Sequence, residues 1–252
     1  MSSLGTPTPT LLVFTLGTPA ESARRALLPA GHRALERELW ETCLAASLEA
    51  GRTCGCALEV CSPARLTLPA DALHAPQSDG PFGARLERAL GDAFARGAGP
   101  LLVVGTDVPG FSSRSIEQAL TALGGDPDRV VLGPSPDGGF YLLACHRPID
   151  GLAGATRWRR RDTLRGLIRS LRAAGRTVEL LAPLRDLDRP ADLEIWLADR
   201  SADGILWLGL ATSIARILAD LRRPPVPLLS GRRLPAFAAA ARGRAPPVQS
   251  FL

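Results

Sequence analysis

Asp107 and Asp137 stand thirty residues apart, and each adjoins an unbroken apolar run. Asp107 follows Leu101–Val104 in LLVVGTDVPG, while Asp137 opens the Asp-Gly-Gly that separates VVLG from FYLLAC. Carboxylates placed where buried strands end are how open α/β enzymes hold a hard divalent cation and a phosphorylated ligand. A third acid, Asp188, precedes Pro190 at another strand-to-helix junction. Each has a plainer use as well: Asp107 as a cap for the next helix, Asp137 as the turn acid of Pro-Asp-Gly, Asp188 as the N-cap of a helix that begins near Pro190.

The elements that must position these acids follow from hydrophobic periodicity. Short apolar runs at Leu11–Leu16, Ala57–Cys61, Leu101–Val104, Val130–Leu132, Phe140–Cys145 and Val178–Leu181 read as strands, most of them buried on both faces. Between them, apolar residues at helical spacing predict helices over 32–50, 83–96, 162–174 and 190–198. Ser112 or Ser113 caps a further helix to about Leu123, with Glu117 as the acid near its start. The stretches 17–31 and 63–81 are rich in Gly, Pro and Ser and read as loops. Alternating strands and helices predict an α/β fold with a mostly parallel sheet covered on both faces.

Composition narrows the class. The chain has 252 residues, 46% hydrophobic and 22% charged, as a globular protein does. All 30 basic residues are arginine, and the net charge is +5. Only RWRRR (157–161) is a dense basic run, the aromatic fraction is 5%, and acids are interspersed, so specific nucleic-acid binding is not expected. The turn at 157–161 is read as solvated. Five cysteines without a CxxC pair and three histidines argue against zinc and for reduced thiols. No apolar run reaches membrane-spanning length and no basic region precedes the first one, so a cytoplasmic location is expected. The domain limits read as a tail at 1–9, a main α/β domain at 10–200, an apolar helix at 201–222 and a Pro/Arg/Ala-rich tail without fixed structure at 223–252. That helix packs on the domain or, with the tail, meets a partner.

Several blocks now stand in a recognisable order. They are Gln77-x-x-Gly80-x-Phe82-Gly83-x-Arg85-Leu86, Gly105-Thr106-Asp107-Val108-Pro109-Gly110, Leu132-Gly133-Pro134, Asp137-Gly138-Gly139-Phe140-Tyr141, Trp158, and the segment Leu184–Leu193. Over about residues 10 to 200 the chain resembles the DUF2064 family of glycosyltransferase-A-like (GT-A-like) proteins and, more distantly, the nucleotidyltransferases of molybdenum-cofactor synthesis. The resemblance implies a three-layer α/β/α fold of the nucleotide-diphospho-sugar transferase kind, with a mostly parallel mixed sheet. It implies a metal-dependent transferase that uses a nucleotide-activated sugar and a small-molecule acceptor. The divalent cation, Mg²⁺ or Mn²⁺, would sit on Asp107 and Asp188, and Asp107 and Asp137 would be catalytic. Arg24, Arg25, Gln77, Gly80, Arg85, Thr106, Gly138, Gly139 and Trp158 would contact substrate.

One departure from the family pattern stands out. Where members carry Pro-Gly-x-x-Lys-Thr-Arg-Leu after the first strand, this chain has Pro19-Ala20-Glu21-Ser22-Ala23-Arg24-Arg25-Ala26-Leu27. Glu21 takes the glycine position, Arg24 that of Lys, and Ala26 that of the final Arg, so an acid stands where a diphosphate should approach. Two alternatives therefore remain: a nucleotidyltransferase acting on a phosphorylated small molecule, and a degenerate, non-catalytic binding protein of the same fold.

Overall fold

The computed structural model describes residues 8–199 and 205–222; the expected tail at 223–252 lies outside them. Seven strands form one sheet: β1 (Thr10–Phe14), β2 (Ala57–Ser62), β3 (Ala72–Pro76), β4 (Leu101–Val104), β5 (Arg129–Pro134), β6 (Phe140–Cys145) and β7 (Thr177–Leu180). Their spatial order is β3-β2-β1-β4-β6-β5-β7. All pairings are parallel except those of β6, which runs antiparallel to β4 and β5. The expected mixed, mostly parallel sheet is therefore present.

Seven helices accompany it among the described residues: α1 (Thr18–Arg25), α2 (Arg33–Thr53), α3 (Phe82–Ala95), α4 (Ser113–Leu123), α5 (Thr163–Ala173), α6 (Pro190–Asp199) and α7 (Ile205–Arg222). Alternate residues of a strand face opposite sides of a sheet, and the core divides accordingly. Leu11 and Val13 of β1 join Leu102 and Val104 of β4 beneath Leu48 of α2 and Ile116 of α4. Leu12, Leu101 and Val103 join Leu86 and Leu90 of α3 and Leu167 of α5 on the other face. This is the α/β/α sandwich.

A third apolar cluster lies outside the sandwich. Trp207, Leu210 and Ile214 of α7 pack with Trp196 of α6 and with Leu39, Trp40 and Cys43 of α2, and Trp196 meets Trp207 edge-on at 5.4 Å. The apolar face of α7 thus finds its partner within the chain. No helix among the described residues is long and apolar enough to cross a membrane.

Two stretches read as loops contain elements. Residues 18–25 are helical, with Pro19 in the first turn, where its missing N–H costs nothing. The residues α1 buries are Glu21 and Ser22, so hydrophobic periodicity had nothing to register. Ala72–Pro76 is an edge strand whose Leu73 is 48% exposed. The cap of α4 also differs from expectation: Ser112 and Ser115 form a reciprocal capping box, and Glu117 takes no part.

Candidate active site

The crevice opens at the C-terminal ends of β1 and β4, where the strand order diverges, toward β2 on one side and toward β5 on the other, and where open α/β folds bind ligands. Thr15 and Thr106, just past those ends, join through their hydroxyls at 3.1 Å. Asp107 follows on β4's exit. The segment after β7 is tied down beside it, since Leu187 donates its N–H to the Asp107 carbonyl at 2.8 Å and Leu184 donates to Pro134 at 3.1 Å. With Leu187 fully buried, its neighbours Asp186 and Asp188 turn toward Asp107. Each of the three acids offers a carboxylate oxygen, and these oxygens lie within 4.8 Å of one another.

None of the three is spent as a helix cap. Asp192 accepts the N–H groups of Asp188 and Arg189 at 3.1 and 2.9 Å, so Asp188 is free to face the crevice. Asp137 does serve its turn, accepting the Gly139 N–H at 2.8 Å through Oδ1, yet it also lines the crevice. Asp186 is the acid that sequence reasoning missed. Its carboxyl is pushed up to about 7, first by burial and then by the charges of Asp107, Asp137 and Asp188. Burial also raises Asp188, against the opposing pull of Arg25. A half-buried carboxyl crowded by three other carboxylates favours a cation nearby.

Arg25 supplies part of that charge. Its guanidinium, 6% exposed, donates to Asp107 and to Asp188, and pairs with Glu21 at 3.3 Å. It also donates to the Leu187 carbonyl and lies 5.5 Å over the Trp40 ring. Burial alone would lower its pKa; the Asp107, Asp188 and Glu21 carboxylates reverse this and raise it. Glu21, the departure from the family pattern, does not project into the crevice as a bare acid. It accepts the Leu16 N–H at 3.3 Å and pairs with Arg24 at 3.1 Å, orienting both arginines. Arg25 binds one oxygen each of Asp107 and Asp188 and leaves the others available, so the three aspartates still fit a hard, oxygen-preferring divalent cation.

Beside the acids the crevice is aromatic. Trp158 lies 5.3 Å from Phe82 and 6.2 Å from Phe140, and Phe14 meets Phe82 edge-on at 5.7 Å. The indole N–H donates to the Ala153 carbonyl at 2.8 Å, and a Cβ at Gly83 would collide with the indole ring. Arg85 also lines this end and donates to Gln77, which is buried and donates to the carbonyls of Thr15 and Cys61 at 3.3 Å each. Gln77 therefore braces the wall, and neither it nor Gly80 lines the crevice.

The turn at 157–161 is not simply solvated, because Arg159, Arg160 and Arg161 line the crevice mouth. Gly138 holds this turn in place: at φ 94° its missing Cβ leaves room for the Arg161 carbonyl, and its own carbonyl accepts the Leu164 N–H at 3.0 Å. Gly138→Ala is expected to destabilise the fold by more than about 1 kcal/mol, since alanine both disfavours this φ and strikes backbone. Urea unfolding measures it, and a midpoint equal to that of the parent would contradict this account.

Comparison with known proteins agrees with the architecture. The model of DUF2064, a family described as uncharacterized proteins conserved in bacteria, matches residues 32–159. The crystal structure of a candidate nucleotide-diphospho-sugar transferase from Desulfovibrio desulfuricans G20 superposes with a TM-score of 0.73 at 19% identity, covering 84% of this chain and 98% of that one. Rv0371c from Mycobacterium tuberculosis H37Rv superposes with a TM-score of 0.50 at 17% identity, covering 77% of this chain and 100% of that one. No protein in the curated set matches by sequence. At these identities the structural likeness establishes the fold.

Proposed function

The chain belongs to the DUF2064 family, and from that membership and the chemistry of the crevice we propose that it is a metal-dependent transferase using a nucleotide-activated sugar as donor. The observation that carries this reading is the convergence of Asp107, Asp186 and Asp188 beside Arg24 and Arg25 at the strand ends. A divalent cation bound there, Mg²⁺ or Mn²⁺, supplies charge neutralisation for the departing nucleoside diphosphate.

Asp107, Asp186 and Asp188 would hold that cation, each through a carboxylate oxygen. Arg24 and Arg25 face the diphosphate from α1 and stabilise the charge that grows on it as the glycosidic bond breaks. The aromatic wall of Phe14, Phe82, Phe140 and Trp158 takes an uncharged, flat or apolar part of the ligand and keeps water from it. Asp137, at the crevice mouth, takes the proton from the acceptor hydroxyl as its oxygen attacks the anomeric carbon. Gly139 beside it admits the ligand close to the backbone.

Calorimetry with a panel of nucleotide sugars, with and without Mn²⁺, tests the reading. At least one nucleotide sugar is expected to bind, at least about tenfold more tightly with Mn²⁺ than without it, because a cation held by the aspartates would neutralise the diphosphate. Binding of no nucleotide sugar, or binding indifferent to Mn²⁺, would count against it.

A further inference from the structure

Resting on the donor reading above, we propose that the turn Arg159-Arg160-Arg161, with Arg189 opposite, is a binding site for an oxyanion carried by the acceptor, so that the acceptor is a phosphorylated or carboxylated small molecule. Four observations converge on it.

The first is pairing. Arg24 is engaged by Glu21, Arg25 by three acids and Arg185 by Asp192 at 3.4 Å. The guanidinium groups of Arg159, Arg160, Arg161 and Arg189 meet no acid among the described residues, although all four line the outer crevice. Second, the charge count leaves a remainder. With Glu21, which pairs with Arg24 and Arg25, included, seven arginines face six acids at this end. A divalent cation would add two positive charges and a nucleoside diphosphate ester would return about two negative ones, so the original surplus stays unmet. An anionic acceptor would meet it.

Third, the turn is built rather than loose. Buried Thr163 knots it: its hydroxyl accepts the Arg160 N–H at 2.9 Å and shares its one proton between the Arg157 and Arg160 carbonyls, 2.9 and 2.6 Å away. The Gly138 contact with the Arg161 carbonyl then fixes it to the Asp137 loop. Fourth, Arg159 holds a left-handed backbone, φ 60°, where glycine or asparagine would be at ease. Outside the cap of α1 it is the only such non-glycine residue among those described. A bulky cation kept in a conformation that disfavours it is the kind of strain that clusters at binding sites.

Position fits the role. Arg159 and Arg160 border both the aromatic inner part of the crevice and its outer, charged part. An oxyanion held there would set the acceptor hydroxyl near Asp137, which lines the same two parts of the crevice.

Calorimetry on the full chain, with Mn²⁺ and a saturating nucleoside diphosphate, tests this with three probes of one skeleton: glycerol, glycerate and glycerol 3-phosphate. Glycerol 3-phosphate or glycerate is expected to bind and glycerol not, and the two anionic arms distinguish phosphate from carboxylate as the natural group. Arg159→Gly, which relieves the backbone, and Arg160→Gln should each weaken the anion by about tenfold, with nucleotide affinity within about threefold of the parent's. Arg159→Gly should unfold no more easily than the parent, so that lost binding is not lost folding. Glycerol binding as well as its anionic derivatives, or variants that lose nucleotide in place of the probe, would overturn the proposal. Anion binding that Arg159→Gly removes would support it even if no nucleotide bound, whereas that absence would count against the donor reading alone.

Discussion

Asp107→Asn is expected to lower turnover by about 10²–10³-fold while leaving the fold intact. The substitution keeps the side chain's shape but removes a charge that would help Asp107, Asp186 and Asp188 to hold a cation. An amide can still accept one hydrogen bond from Arg25, so α1 should stay in place. The effect should therefore fall on the step in which charge leaves with the nucleoside diphosphate, where losing one electrostatic partner costs on this scale. Raising Mn²⁺ should recover part of the rate, since the remaining acids bind the cation more weakly. Steady-state rates across a Mn²⁺ series measure this, and turnover within tenfold of the parent would remove Asp107 from the mechanism.

Arg25→Ala acts on the same cluster from the opposite side and should be felt first in stability. Its guanidinium is 6% exposed and contacts Asp107, Asp188 and Glu21, whose side chains are 23%, 39% and 8% exposed. Removing it leaves several carboxylates facing one another without their counter-ion. Breaking one side of a buried ion pair costs about 3–5 kcal/mol, and the partial solvation of Asp107 and Asp188 puts the expected loss at the lower end, about 3 kcal/mol. For a domain of this size that is a drop of about 6–12 °C in Tm. Because Mn²⁺ can replace the lost charge, it should raise Tm more in Arg25→Ala than in the parent. Thermal unfolding with and without Mn²⁺ decides the matter: an unchanged Tm would show that Arg25 is not the cluster's counter-ion.

What the sequence disclosed follows from which interactions are local. The strand Leu101–Val104 and the acid at its end were legible because a strand buried on both faces is a continuous apolar run. The helices over 33–53 and 82–95 were legible for the same kind of reason, their buried residues repeating at helical spacing. Residues 18–25 were not, because that helix buries Glu21 and Ser22, and the polar bonds that hold it reach Leu16 and the segment around Leu187. The edge strand Ala72–Pro76 carries a half-exposed leucine and no alternation to read.

The site divides along the same line. Asp107 and Asp188 could be picked out at element junctions. Asp186 could not, because only the long-range bond between the Leu187 N–H and the Asp107 carbonyl turns it inward; its one available signal was the Asp-Leu-Asp spacing, which puts two acids on one side of an extended segment. Glu21 looked like a flaw in the basic half of the site until its pairing with Arg24 and Arg25 was visible. The arginines at 159–161 read as solvent-facing because the glycine that clasps their turn lies over twenty residues earlier in the chain.

Transfer from a nucleotide-activated sugar must release a nucleoside diphosphate. Phosphorus NMR on the protein with Mn²⁺, a panel of nucleotide sugars and, separately, nucleoside triphosphates follows this release directly. A nucleoside diphosphate signal is expected to grow from at least one nucleotide sugar, to vanish with a chelator and to fall steeply in Asp107→Asn. Pyrophosphate released from a nucleoside triphosphate, with every nucleotide sugar left intact, would contradict it.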